Sequence, residues 1–209
     1  MLFKQLFENE SCTYTYLISC PDKKEAVLID PVIETIERDL HILKSLGLKL
    51  TYAIDTHIHA DHVTSASALR EITNCKVAGP ANDNLRCRDI NFRDKDSLTL
   101  GASLEIKAFH TPGHTDTHFS YVLEHNERKI LFSGDALLID ACGRTDFQSG
   151  SSKELFNTIK KFFYSMPDDT RVYPAHDYNN KSCSTILHQK NDNHLIDHKI
   201  NLKNFVQKM

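Results

Sequence analysis

The stretch from Thr56 to Arg70, THIHADHVTSASALR, places three histidines and an aspartate within six positions. The hydrophobic run KLTYAI precedes this cluster and a helical pattern follows it, which predicts a corner between a strand and a helix. His57 and His59 are two positions apart and point the same way while the chain stays extended. Asp61 and His62 lie where the chain turns, so they can face the same pocket from the other side.

Three other hydrophobic runs also end in residues that can bind a metal. SLEIKAFHTPGHT carries His110 and His114, RKILFSGDA reaches Asp135, and TRVYPAHDY reaches His176. A rigid sheet can hold side chains from distant parts of a sequence around one point. One such histidine alone would indicate a surface residue, but four corners together predict a metal centre. Imidazoles combined with carboxylates suit zinc or iron, whereas calcium and magnesium prefer oxygen ligands.

Strand and helix patterns alternate along the whole chain. No linker, charge block or repeat divides residues 1–209, so we expect a single domain. Strands are predicted at 2–8, 12–19, 25–31, 49–57, 75–80, 103–111, 118–125, 128–136 and 170–178, with helices at 35–46, at 63–72 and from 152 to Pro167. Ser151 and Glu154 form a capping-box pattern ahead of the last helix.

Composition excludes several classes of function. Lys and Arg number 25 against 28 Asp and Glu, so no summed positive field is present to hold nucleic acid. No apolar run approaches the roughly 20 residues that span a bilayer, and charged residues interrupt the start MLFKQLFENE, so we expect a cytoplasmic protein without a membrane partner. The six cysteines include no CxxC pair, which favours free thiols.

The motifs THIHADH, HTPGHT, FSGDALL and YPAHDY resemble the successive metal-site motifs of the metallo-β-lactamase superfamily, from about residue 28 to residue 178. The resemblance implies an α/β fold, a four-layer αββα sandwich with the site at one edge of two packed sheets. GDALLIDACGRTDFQSG, from Gly134 to Gly150, is similar to the persulfide dioxygenase branch. Ala60 and Thr64 depart from the glyoxalase II pattern, and too few residues follow His176 for the helical domain of those hydrolases.

This resemblance implies an oxidoreductase, a glutathione-dependent persulfide dioxygenase with one iron(II) ion per chain. Carried over residue by residue, the metal ligands are His57, His114 and Asp135, a set that leaves three coordination positions open. Glutathione persulfide and O₂ would be converted to sulfite and glutathione. Zinc or manganese can load such a site as well, and the resemblance leaves a homodimer and a separate sulfurtransferase partner open.

Four further residues allow a competing interpretation, and they are His59, Asp61, His62 and His176. In a dioxygenase they would orient the ligands and bound water by hydrogen bonds. In hydrolytic relatives the same residues build a second metal position. The alternative is therefore a dinuclear zinc hydrolase of glutathione thioesters, of the glyoxalase II type.

Residues beside the metal motifs are candidates for binding the substrate. Arg144 and Thr145 would lie near the glutathione carboxylates, since a guanidinium group matches a carboxylate with two hydrogen bonds. The alternative role of Arg144 is to hold its loop through Asp146 or Asp140. Tyr178 would point at the bound sulfur or O₂, or else brace the loop. His118 is interpreted as a packing or hydrogen-bonding residue. Cys142 is interpreted as a buried packing residue, with exchange of sulfur as the alternative.

Overall fold

Two six-stranded sheets form the centre of the computed structural model, which describes residues 1–102 and 104–209. The predicted strand from residue 103 therefore begins at a residue outside the described part. The first sheet contains β1 (Leu2–Glu8), β2 (Thr13–Cys20), β3 (Glu25–Ile29), β4 (Lys49–Ile54), β5 (Lys76–Pro80) and β6 (Ile90–Phe92). The second sheet contains β7 (Ser97–Leu100), β8 (Leu104–His110), β9 (Phe119–His125), β10 (Arg128–Gly134), β11 (Arg171–Pro174) and β12 (Ser184–Thr185).

Helices cover the outer faces of both sheets. They are α1 (Ile36–Ser45), α2 (Ala66–Thr73), α3 (Ser152–Asn157), α4 (Ile186–Asp192) and α5 (Leu202–Lys208). Leu43 of α1 and Leu69 of α2 pack with Leu28 on the first sheet. Leu155 of α3 and Phe205 of α5 pack against the second sheet.

The central core lies between the two sheets. In β8, buried Leu104, Ile106 and Ala108 alternate with exposed Glu105 and Lys107, as expected for a strand with one face in a core. Strand β2 is buried at every position because both of its faces are covered. The layers are thus helix, sheet, sheet, helix, and the predicted αββα sandwich is confirmed.

Strand direction brings the metal-binding corners to one edge. Strands β3 to β6 run parallel to one another, and β11 runs parallel to β10, so their carboxyl ends lie together within each sheet. Backbone hydrogen bonds join the sheets at this edge. Phe119 N donates to Thr56 O at 2.8 Å, and Tyr14 N donates to Ala175 O at 2.7 Å. Segments far apart in sequence therefore meet there.

Helix ends differ from the predictions in detail. Helix α2 begins at Ala66 rather than at residue 63, because Thr64 instead forms a backbone bridge with Val32. The capping box forms only in part, since Ser151 Oγ accepts from Glu154 N while Ser151 N donates to Gly113 O. After α3 the helical path continues through a wider turn, 158–162, and a 3₁₀ turn, 163–165, before Pro167.

Candidate metal centre

Three proposed ligands meet at the shared edge of the sheets. Asp135 Oδ2 lies 3.9 Å from His57 Nε2 and 3.6 Å from His114 Nε2. Ligand atoms of the three residues lie within 4.8 Å of one another. All three residues are buried, so their geometry is set by the surrounding protein.

Hydrogen bonds determine which nitrogen of His57 faces the centre. Asp30, in a left-handed conformation after β3, accepts bonds from the Thr56 backbone N at 2.7 Å and from Thr56 Oγ1 at 3.0 and 3.1 Å. Since the Thr56 hydroxyl hydrogen goes to a carboxylate, Thr56 Oγ1 accepts from His57 Nδ1 at 2.9 Å. His57 Nε2 is left with a lone pair that faces Asp135.

His114 is oriented in the same way. Its Nδ1 lies 2.8 Å from Arg144 O, and because a carbonyl oxygen only accepts, Nδ1 carries the hydrogen. The Nε2 lone pairs of His57 and His114 therefore face the Asp135 carboxylate with no hydrogen among the three atoms. Three electron-pair donors held together in a buried site fit a cation, and the donor set suits iron, zinc or manganese.

His176 sets the orientation of Asp135. Its Nδ1 donates to Asp135 Oδ1 at 2.6 Å and its Nε2 donates to Asp61 Oδ2 at 2.8 Å. Burial opposes the charge, but the two carboxylates outweigh it and raise the pKa of His176 to about 11. Burial likewise acts to raise the pKa of Asp135, but the charge and hydrogen bond of His176 hold it well below the ordinary value. Oδ1 of Asp135 is thus held by His176, and Oδ2 is presented to the other ligands.

A second group of ligand-capable atoms belongs to His59, Asp61 and His62, which also lie within 4.8 Å of one another. β4 ends at Ile54, before the histidines, yet the rings of His57 and His59 lie side by side with centroids 4.2 Å apart, and only their hydrogen-bond partners differ. His59 Nε2 instead lies 3.2 Å from Asp30 Oδ1, while His62 Nδ1 donates to Asp61 Oδ2 at 2.8 Å. His59 Nδ1 and His62 Nε2 are buried without a hydrogen-bond partner in the described structure.

A cavity of about 670 Å³ opens from the metal centre. His57, His114, Asp135, Asp61 and His176 line its inner part. The outer part is lined by Ala60, Leu138, Ala141, Cys142, Gly143, Arg144, Phe147, Gln148 and Tyr178. His62 lines a smaller neighbouring cavity instead. The large cavity can hold a molecule of tripeptide size beside the three ligands.

The three residues predicted to contact the substrate differ in how they lie relative to the cavity. Arg144 makes a two-bond ion pair with Asp146, at 2.7 and 2.9 Å, and both side chains are exposed at the mouth of the cavity. The ring of Tyr178 stacks on His176, and burial, Asp135 and Asp61 raise the pKa of Tyr178 to about 12, so the phenol keeps its proton. Thr145 Oγ1 bonds with Ser152 Oγ at 2.7 Å and is not among the described residues that line the cavity.

Cys142 is buried in the cavity wall with its Sγ 3.7 Å from Met209 Sδ. Burial raises the pKa of this thiol to about 12. A thiol that keeps its proton is a poor nucleophile. The structure therefore favours the packing role over sulfur exchange.

Asp30 and Thr56 are functional residues that sequence reasoning did not identify. Asp30 falls inside the predicted strand 25–31, although a carboxylate near the end of a buried strand is itself a signal. Gly143 was also missed. A Cβ atom on Gly143 would lie 2.2 Å from Asp135 O and 2.8 Å from His114 Nδ1, so this close approach requires glycine.

Fold and site together define a metal-dependent enzyme of the αββα sandwich type. The family model described as "Metallo-beta-lactamase superfamily" matches residues 12–176, and the chain belongs to that superfamily. A curated mouse relative, "Persulfide dioxygenase ETHE1, mitochondrial", is 42% identical over 192 residues, which cover 91% of this chain and 74% of the relative. The crystal structure of ETHE1 from Myxococcus xanthus has a TM-score of 0.93 at 42% identity and covers 99% of this chain and 89% of that one. The predicted resemblance to persulfide dioxygenases, and with it the prediction of an oxidoreductase, is confirmed.

Hydrolases of the competing type are also similar to this chain. A hydroxyacylglutathione hydrolase from a Polaromonas species is 32% identical over 187 residues, which cover 88% of this chain and 70% of the relative. Its identity is lower than that of the dioxygenase relatives, so the comparison favours the dioxygenase branch.

Within the described residues, no helix is both long and apolar enough to cross a membrane. The mouse, human and cow relatives are named as mitochondrial. The cytoplasmic location therefore stays a prediction.

Proposed function

We propose that this protein is a persulfide dioxygenase that holds one iron(II) ion on His57, His114 and Asp135 and oxidises glutathione persulfide. One persulfide, one O₂ and one water would give one glutathione and one sulfite. Bound iron(II) would supply the redox chemistry and open coordination positions for both reactants. The observation that carries the proposal is the pair of Nε2 lone pairs facing Asp135 Oδ2.

Residues around the cavity have separate roles in this proposal. His176, which is itself bonded to Asp61, holds Oδ1 of Asp135 in place. Thr56 holds the imidazole ring of His57, and Arg144 O holds that of His114. Phe147 and Leu138 supply apolar surface to the cavity wall. Tyr178, with its proton retained, can donate a hydrogen bond into the cavity.

The hydrogen bonds of His176 support one metal rather than two. Both nitrogens of His176 donate to carboxylates, and Asp61 Oδ2 accepts from His62 as well. His176 and Asp61 thus have hydrogen-bond partners in the protein, whereas His62 Nε2 is buried without one in the described structure. A dinuclear hydrolase would instead need Asp61, His62 and His176 as metal ligands.

The function is tested by anaerobic purification, reconstitution with ferrous iron and an O₂-electrode trace on glutathione persulfide. We expect O₂ uptake and sulfite in equal amounts. A lactoylglutathione-type thioester, tested without O₂, serves as the competing substrate. Thioester hydrolysis with no O₂ uptake on the persulfide would overturn the proposal.

The number of metals is tested by comparing His57→Ala with His62→Ala. We expect His57→Ala to lose the iron, because it removes a ligand, and His62→Ala to keep one iron per chain. Metal analysis of the purified, reconstituted variants gives the result. If His62→Ala loses metal as completely as His57→Ala, the two-metal interpretation is correct.

Arg144 is proposed to bind a glutathione carboxylate by exchanging Asp146 for the substrate. Solvent screens the exposed Arg144–Asp146 pair, so the exchange costs little. We expect Arg144→Met to raise KM for glutathione persulfide about tenfold with kcat nearly unchanged, since the lost contact is made before and during the reaction. Asp146→Asn, which frees the guanidinium group, is expected to lower KM. Equal KM values in both variants and the wild type would contradict this role.

Residues 1–209 are also proposed to act as one domain. Strand β1 at the start of the chain and α5 at its end pack on the two sheets that carry the ligands. The homodimer and the separate sulfurtransferase stay predictions.

A further inference from the structure

His118 is a fully buried imidazole that has no place in the proposed chemistry so far. Its Nε2 lies 3.1 Å from the backbone N of Asp135. Its ring stacks on the ring of His57, with centroids 5.0 Å apart and an angle of 28°. His118 therefore contacts two of the three proposed metal ligands without facing the metal position itself.

A chain of hydroxyl groups determines which nitrogen of His118 carries the hydrogen. Asp135 N donates to His118 Nε2, so Nε2 must hold a lone pair and Nδ1 must carry the hydrogen. His118 Nδ1 then donates to Thr111 Oγ1 at 2.9 Å. Ser120 Oγ donates to Ser133 O at 3.2 Å, which leaves it to accept from Thr111 Oγ1 at 2.8 Å. We call Thr111, Ser120 and the Ser133 carbonyl the hydroxyl relay.

The backbone next to Asp135 is shaped by the same ring. Gly134 has a φ of +55°, and a Cβ atom there would lie 2.4 Å from His118 Nε2. The imidazole edge thus occupies the space beside Gly134. The turn that directs Asp135 into the site is packed directly against His118.

We propose that His118 is a positioning residue that raises metal affinity by orienting Asp135 and His57, and that the hydroxyl relay keeps it in the required tautomer. This inference rests on the proposed ligand set. If the hydrogen moved to Nε2, two N–H groups would face each other at Asp135, and the carboxylate would turn away. Groups that orient metal ligands by hydrogen bonds commonly change metal affinity 10- to 100-fold.

The relay is tested with Thr111→Val, which removes the acceptor for His118 Nδ1 and keeps nearly the same shape. Metal-free protein is titrated with Co(II) alone, and binding is followed by visible absorption. We expect Thr111→Val to weaken Co(II) binding roughly 10- to 100-fold, and Thr111→Ser, which restores the hydroxyl, to return most of the affinity. ¹⁵N NMR of His118 should show the hydrogen on Nδ1 in the wild type and in Thr111→Ser, and a mixture in Thr111→Val.

A second pair of variants changes His118 itself. His118→Gln can place an amide oxygen where Nε2 accepts from the backbone N of Asp135, whereas His118→Leu cannot. The His118→Gln protein should therefore bind Co(II) more tightly than the His118→Leu protein. Unfolding of the metal-free variants in urea gives the effect on stability separately. If Thr111→Val lowers stability but binds Co(II) as the wild type does, His118 only packs and the inference is overturned. Because the Co(II) titration does not need turnover, a wild-type protein that binds Co(II) but takes up no O₂ would overturn the proposed function alone.

Discussion

Asp135→Asn is expected to reduce O₂ uptake to background and to leave the reconstituted protein without iron. The amide oxygen can still accept from His176 Nδ1, but the amide nitrogen takes the place of Oδ2 opposite His57 and His114. Removal of one partner from a buried charge pair costs about 3–5 kcal/mol, which corresponds to metal binding weaker by roughly 10²- to 4 × 10³-fold. Metal analysis, a Co(II) titration and the O₂ electrode measure these effects.

The same substitution should leave the metal-free protein folded. Its amide N–H groups can donate to the two Nε2 lone pairs, but buried His176 loses a charged partner, so we expect the free energy of unfolding without metal to fall while the variant stays folded. Asp39→Asn is a matched control, because Asp39 is a buried carboxylate paired with Arg38 on α1, outside the cavity. We expect this control to keep its iron. Iron retained by Asp135→Asn would show that the metal lies elsewhere.

The positions of the ligands along the chain follow from local patterns. β1 occupies residues 2–8 as predicted, and the runs before His57, Asp135 and His176 form strands that end at one edge. Such strands can be predicted because a run of hydrophobic side chains indicates the strand, and the polar residue that follows indicates its end. The four strand ends together predicted a metal centre, but the arrangement of two packed sheets came from the family resemblance, since periodicity does not determine how sheets pair.

The orientation of the ligands could not be predicted from the sequence, because it depends on hydrogen bonds between distant residues. The bond from Thr56 to Asp30 joins residues 26 positions apart, and it exists because β3 and β4 run parallel and pair Ile29 with Ile54 just before it. His118 illustrates the same limit. It was interpreted as a packing or hydrogen-bonding residue, but its tautomer depends on Thr111, Ser120 and the backbone of Asp135, which meet only in the folded chain. Hydrogen-bond direction is a property of the assembled site.

Gly143→Ala is expected to lower kcat about 10²-fold, although residue 143 has no functional group. Its added Cβ would lie 2.2 Å from Asp135 O and 2.8 Å from His114 Nδ1, so two proposed ligands must move apart. The hydrogen bond from Gly143 N to Asp135 O, 2.8 Å long, transmits the same displacement. A misplacement of about 1 Å in a catalytic group can cost 10²-fold in rate.

This effect on rate must be separated from loss of folding. Gly47→Ala is the control, because Gly47 has a φ of +61° and its Cβ would meet only Lys24 Nζ, at 3.8 Å. We expect the control to lose stability through backbone strain and to keep wild-type Co(II) affinity and kcat. For Gly143→Ala, Co(II) affinity should fall together with kcat at temperatures where the variant is still folded by circular dichroism. Gly143→Ala could instead match the control, with lower stability and an unchanged metal centre. That result would show that the ligands tolerate the shift and that the close contact at residue 143 does not limit the reaction.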